Sequence, residues 1–245
     1  MHTILVEPHP ATFASLNALL NKERELNANV TAVNAAVCSA DEKNVTFYTL
    51  KVEGGSNKSS YRAASLDPTS AKLGAGAQFS SMSLQHVLDH MWPQRCGHCR
   101  KDATKIERLH VPCYSVATML ARHGVAESAL RILTVDAEGA DVEILEGVPW
   151  GRVLPRLLVF ELTHVQRQPS GRRRTQALLE LLSSRHRYAC QEQPPSSHGS
   201  NAGVSPDVWC VHAAARELSD CEAVWLRKEA PGGRCWPAFG ARCGW

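Results

Sequence analysis

The segment Arg131–Gly147, RILTVDAEGADVEILEG, constrains the fold more than any other part of the chain. Ile132-Leu133-Thr134-Val135 is a short apolar run with the β-branched content of a buried strand. It stops at Asp136. Ala137-Glu138-Gly139 then connects tightly into a helical pattern with Val142, Leu145 and Val148 on one face, and Gly147 and Pro149 supply the stop. A strand that ends in a carboxylate and turns at once into a helix places that carboxylate at the carboxyl edge of a parallel sheet. Open α/β sheets bind their ligands there. The same position also suits an aspartate that only caps the next helix.

The pattern recurs. Thr3-Ile4-Leu5-Val6 ends in Glu7, and Leu157-Leu158-Val159-Phe160 ends in Glu161. Pro8 and Pro10 close the first of these strands and suit the first turn of a helix. That helix carries Phe13, Leu16, Leu19 and Leu20 on one side. Val30–Val37 reads as one largely buried strand, and Asn44–Leu50 alternates like a strand with one wet face. Ser83–Met91 has helical spacing, Leu109–Tyr114 is a strand, and Ser115 is the N-cap of a helix stopped by Gly124. Thr175–Ser184 is a further helix. Tyr188–Gln193 and Asp207–His212 form a late antiparallel pair. Alternating strands and helices predict an α/β sandwich with a mostly parallel sheet. The expected organisation is one domain over residues 1–212, with a loop-rich insertion at 51–110 and an irregular tail at 213–245. In such a sheet Glu7, Asp136 and Glu161 line one edge.

Composition narrows the function classes. At 245 residues and 44% hydrophobic the chain can bury one sizeable core. A net charge of +3, spread along the sequence, does not argue for nucleic acid. No apolar run has the length of a membrane span. The N-terminus lacks the features of a secretory signal, which gives a cytoplasmic expectation. Nine cysteines then read first as reduced thiols and second as disulfides. Cys96-Gly97-His98-Cys99, with His110 and Cys113 downstream, offers one clean ligand pair, whereas structural zinc wants four ligands. Loop thiols are the favoured reading, and no metal is expected. Arg167, Arg172, Arg173 and Arg174 form a basic cluster that suits either an anionic acceptor or a solvated helix start.

A carboxylate ending a strand of a nucleotide-binding α/β unit accepts hydrogen bonds from ribose hydroxyls. Glu7 fits that role, in an S-adenosylmethionine site or an NAD site alike. The segments VEPHP (6–10), VNAAV (33–37), VDAEGADVEILEG (135–147) and LLVFE (157–161) resemble, in order and spacing, the FkbM-type methyltransferases. DAEGADVEILEG is similar to that family's DxEG hallmark. The resemblance spans about residues 3–212. It implies a Rossmann-like class I methyltransferase fold that uses S-adenosyl-L-methionine to methylate a hydroxyl on a small molecule or sugar. By position, Glu7 would hold the cofactor ribose. Asn34 and Ala36 would lie on the adenine side, and Asp136 and Glu138 would sit beside the methyl group and acceptor. The candidate bases for the acceptor hydroxyl are Asp136, then His164 and Glu138, with His164 also readable as a surface loop residue. Three departures stand out. Thr134 replaces a family lysine, Val116-Ala117 replaces a leucine-aspartate pair, and the glycine-rich strand expected ahead of the Glu7 strand is missing. The other classes to separate are a non-catalytic Rossmann-like binding module and an NAD-dependent oxidoreductase.

Overall fold

Period-two and period-3.6 apolar patterns alternate along the chain, and the backbone follows them. The structure, a computed structural model, describes residues 2–22, 28–50, 80–90, 103–166, 170–192 and 207–217. The 51–78 loop, the polar stretch 94–102 with Cys96 and Cys99, Arg167 and the tail beyond 217 lie outside the described residues.

The chain forms two compact units, residues 1–119 with 137–148 and residues 120–136 with 149–245. In the first unit, β1 (Thr3–Val6), α1 (Pro10–Lys22) and β2 (Val30–Val33) make a β-α-β turn with β1 and β2 parallel, Val6 opposite Val33. His9 starts α1. Its Nδ1 receives the Thr12 amide at 3.4 Å, meeting one of the donors that a helix N-terminus leaves open. The single strand expected over 30–37 is two. β3 (Ala36–Val37) leaves β2 and runs parallel to β5 (Ile106–Tyr114), while β4 (Glu42–Leu50) flanks β5 antiparallel. The break falls at Asn34, whose side-chain amide donates to the Glu7 and Pro8 carbonyls at 2.9 and 3.2 Å.

Ala36, Cys38, Phe47, Val111 and Cys113 form the buried centre of this unit. A second cluster, Val87 with Ile106, is packed by Leu84 and Leu88 from α2 (Leu84–His90). Ser115 caps α3 (Val116–Arg122) as its sequence predicts, its hydroxyl receiving the Thr118 amide at 3.2 Å. Asp41 adds a carboxylate there, bonded to the Ser115 amide and the Thr118 hydroxyl, both at 2.7 Å. α4 (Asp141–Glu146) also belongs to this unit.

The second unit holds a four-stranded sheet in the order β6 (Ile132–Val135), β7 (Leu157–Glu161), β9 (Asp207–His212), β8 (Tyr188–Glu192). β6 and β7 are parallel, and the late strands close the sheet antiparallel as expected. α5 (Thr163–Gln166) and α6 (Gly171–His186) follow β7. Leu157, Val159, Trp209, Val211 and Ala215 make its core cluster. Across the described residues, three strand pairings are parallel and three antiparallel, so the sheets are more evenly mixed than the apolar runs suggest.

Among the described residues, four cysteines form two disulfides where thiols were the first expectation. Cys38 joins Cys113 with Cα atoms 5.8 Å apart, and Cys190 joins Cys210, its direct cross-strand partner in β9. The register sets both pairings, which no sequence spacing discloses.

Gly147 is the C-cap of α4, the stop its sequence predicts, and its φ of −80° is ordinary. What excludes a side chain is space, because a Cβ at this position would run into the backbone of Ser39. Backbone atoms do not swing aside as a side chain does. Gly147→Ala is therefore expected to destabilise the protein by about 1–3 kcal/mol, the range for an overpacked site. Denaturant unfolding measures this, and an unchanged midpoint would refute the steric account.

Candidate active site

In the first unit the carboxyl end of β1 delivers Glu7. Its carboxylate takes the His9 amide at 2.7 Å, and Asn34 braces the same corner through the Glu7 and Pro8 carbonyls. Burial raises the Glu7 carboxyl above the usual glutamate range, and the His9 amide pulls it partly back. A half-buried carboxylate of this kind is relieved by hydroxyl donors, so the corner fits a ribose. The Asn34 side-chain amide serves this corner, which makes Asn34 a brace for Glu7. Ala36 lies 3% exposed in the core beside Cys113, so its methyl group packs inward and only its backbone is left for a ligand.

Asp136 ends β6 in the second unit. Burial raises its carboxyl, Glu161 raises it further, and His164 acts in the opposite direction. Glu161 ends the parallel neighbour β7. Asp207 begins β9 directly opposite Glu161, and its carboxyl is raised by burial and then by Glu161 and Asp136. His164, on α5, places Nε2 3.7 Å from Glu161 Oε1 with its side chain only 14% exposed. That corrects its reading as a surface loop histidine. Asp136, Glu161 and His164 are thus brought together at one sheet edge. Asp207 was missed there. Its signal was available, since an antiparallel strand that starts with an acid puts it beside the acids that end the parallel strands.

Glu138 sits in the turn between β6 and α4 and belongs to the first unit. Its carboxylate Oε2 is 3.2 Å from His86 Nε2, an ion-pair distance without the alignment of a hydrogen bond. Asp141 is fully buried, and its two oxygens take the amides of Gly139 at 3.2 Å and Ala137 at 3.4 Å. Neither His86 nor Asp141 was identified from the sequence. Of the basic cluster, Arg172 and Arg173 are exposed at the start of α6, as a solvated helix start requires.

Parallel β-α-β connectivity with half-buried acids closing its strands defines a Rossmann-like α/β fold. The methyltransferase FkbM domain model matches residues 1–189, and the chain belongs to that family. Among solved structures it is similar to a methyltransferase FkbM from Methylobacillus flagellatus KT, with a TM-score of 0.43 and 10% identity over 85% of this chain. The chain spans 36% of that protein's length. No curated protein matches it.

The acid edge of the second unit has a measurable consequence. Asp207 is favoured protonated in the fold, because its carboxyl is raised. The penalty for ionising it is absent below about pH 4, the unfolded value, and is complete once pH rises above the folded value. Asp207→Asn is therefore expected to stabilise the protein at pH 7 by about 0.2–1 kcal/mol, the scale for like charges directly opposite in a sheet. The gain should shrink as the pH is lowered through the acid range. Unfolding at neutral and acid pH tests it, and a gain that persists or grows in acid would contradict the repulsion.

Proposed function

We propose that the chain is an S-adenosyl-L-methionine-dependent methyltransferase acting on a hydroxyl of a small molecule or sugar. Half-buried Glu7 at the carboxyl end of a parallel β-α-β strand, in a chain of the FkbM family, carries the reading. The family match runs through both units, which supports treating residues 1–212 as one methyltransferase domain.

S-adenosyl-L-methionine, when bound, supplies a methyl group on a sulfonium centre open to in-line displacement. Glu7 would hold the ribose through its carboxylate, and the backbone around Ala36 would lie on the adenine side. Asn34 keeps Glu7 in place. Glu138 orients the acceptor hydroxyl. Asp136 would take the proton of that hydroxyl, leaving its oxygen free to act as the nucleophile. Burial and Glu161 favour the protonated form of Asp136, which makes it a better proton acceptor than an exposed aspartate. His164 balances the negative charge of the Asp136–Glu161 edge.

No helix among the described residues is long and apolar enough to cross a membrane. The modest net charge gives no reason to expect a nucleic-acid substrate. The two disulfides favour an oxidising compartment over the cytoplasmic expectation. Peptide mapping of native protein without reductant is expected to recover Cys38–Cys113 and Cys190–Cys210, and free thiols at these positions would restore the cytoplasmic reading.

Calorimetry with S-adenosylhomocysteine and with NAD separates the classes. The reading requires binding of the first. Binding of NAD alone would make the protein an oxidoreductase, and binding of neither would make it a non-catalytic module. Glu7→Ala should weaken S-adenosylhomocysteine about 10–100-fold, the loss of a hydrogen bond to a charged group. Asp136→Asn should lower methyl transfer from radiolabelled S-adenosyl-L-methionine to a panel of methyl glycosides by about 100-fold or more, with binding retained. Unaltered transfer would remove Asp136 from the role of base.

A further inference from the structure

The Ala137–Ala140 turn is restrained far more than a chain reversal requires. Glu138 has a φ of 50° and Gly139 a φ of 99°, and the Ala140 amide donates to the Ala137 carbonyl at 3.2 Å. Positive φ at both central residues is the pattern of a type I′ turn, which prefers Asn, Asp or Gly. An L residue with a long side chain rarely adopts that conformation. A glutamate is kept at position 138 against local preference, and such outliers point toward function.

The backbone and the carboxylate of Glu138 are both held. Asp141 takes the amides on both sides of it, from Ala137 and Gly139. Ser81 Oγ donates to the Glu138 carbonyl at 3.1 Å, and Ser81 is itself fixed by exchanging both backbone hydrogen bonds with Tyr48 of β4. His86 faces the Glu138 carboxylate at 3.2 Å, with its side chain 4% exposed against 30% for Glu138. The His86 amide is tied to Ser83 Oγ at 3.3 Å, and the Ser83 amide to Ser81 Oγ at 3.0 Å. Ser81, Ser83 and His86 thus form one braced segment behind a single carboxylate. Anchoring the turn alone would need only Asp141 and Ser81. His86 adds control of where the carboxylate points.

We propose that His86 is a positioning residue for methyl transfer. From its buried place on α2 it orients the Glu138 carboxylate, whose exposed part meets the acceptor hydroxyl. This rests on the methyltransferase reading above, with Glu138 as the acceptor-orienting group.

The test uses the full chain. Calorimetry with S-adenosylhomocysteine comes first, and absence of binding by the wild type would defeat the methyltransferase reading and this inference with it. Given binding, His86→Ala should lower kcat/KM for a methyl glycoside about 10–100-fold, as expected for a displaced orienting group. KM for S-adenosyl-L-methionine and the unfolding midpoint should stay unchanged. His86→Gln, which keeps a donor at similar reach, should recover part of the loss and also serves if the alanine variant folds poorly. The double variant with Glu138→Gln should be no slower than Glu138→Gln alone. Multiplicative losses in the double variant, or a silent His86→Ala, would overturn the proposal while leaving the methyltransferase reading intact. Imidazole nitrogen NMR needs no acceptor. Glu138→Gln should shift the His86 ring resonances, and an unmoved ring would overturn the pairing.

Discussion

The buried carboxylate of Asp141 is the interaction on which the DAEG turn depends. Between Asp136 and the first turn of α4 the chain must reverse in four residues, and a tight reversal leaves amides that helix and sheet do not use. Asp141 collects two of them, from Ala137 and Gly139. Its place at the start of α4 also sets its charge near the positive end of the helix dipole, which favours a carboxylate there. A fully buried carboxylate is tolerated only when such donors surround it. With that grip in place, Glu138 is held at positive φ and its side chain is committed to one direction.

The acid edge of the second unit obeys a different physics. Asp136, Glu161 and Asp207 come together because two parallel strands end where an antiparallel strand begins. Their mutual repulsion works against the fold, and burial adds to it. Apolar neighbours in the same strands offset this, with Leu158, Phe160 and Val208 fully buried close to the acids in sequence. A sheet built only for stability would not set a glutamate opposite an aspartate. The raised carboxyl of Asp136 is the feature that the proposed base role would use.

Much of this was legible in the sequence, and the limit has a physical cause. Strand-end acids could be read because apolar periodicity locates strand ends and a carboxylate there is conspicuous. Glu7, Asp136, Glu161 and the late antiparallel pair all followed from that signal. Asn34 looked like a strand interior, since its bonds to Glu7 and Pro8 depend on a contact 27 and 26 residues away in the chain. Ala36 has its side chain toward the core, which a single strand over 30–37 does not reveal. The β3–β5 and β8–β9 registers decide which cysteines can meet, so the disulfides were hidden for the same reason. His86 reaches its place only through tertiary pairing. Local pattern gives elements and their ends, and long-range register gives partners.

Position 138 shows how the two levels combine. Local preference would put Asn or Gly there, and a sequence selected for turn stability alone would have no use for a glutamate flanked by so many restraints. Ser81 and His86 come from a segment about fifty residues earlier, and they act on the carbonyl and the carboxylate of the same residue. A structural role accounts for the carbonyl bond, since it secures the turn. It does not account for the carboxylate contact, because the turn would close equally well with a glycine at that place. A long acidic side chain, in an unfavourable backbone state and beside a buried imidazole, is what the proposed acceptor-orienting role of Glu138 requires.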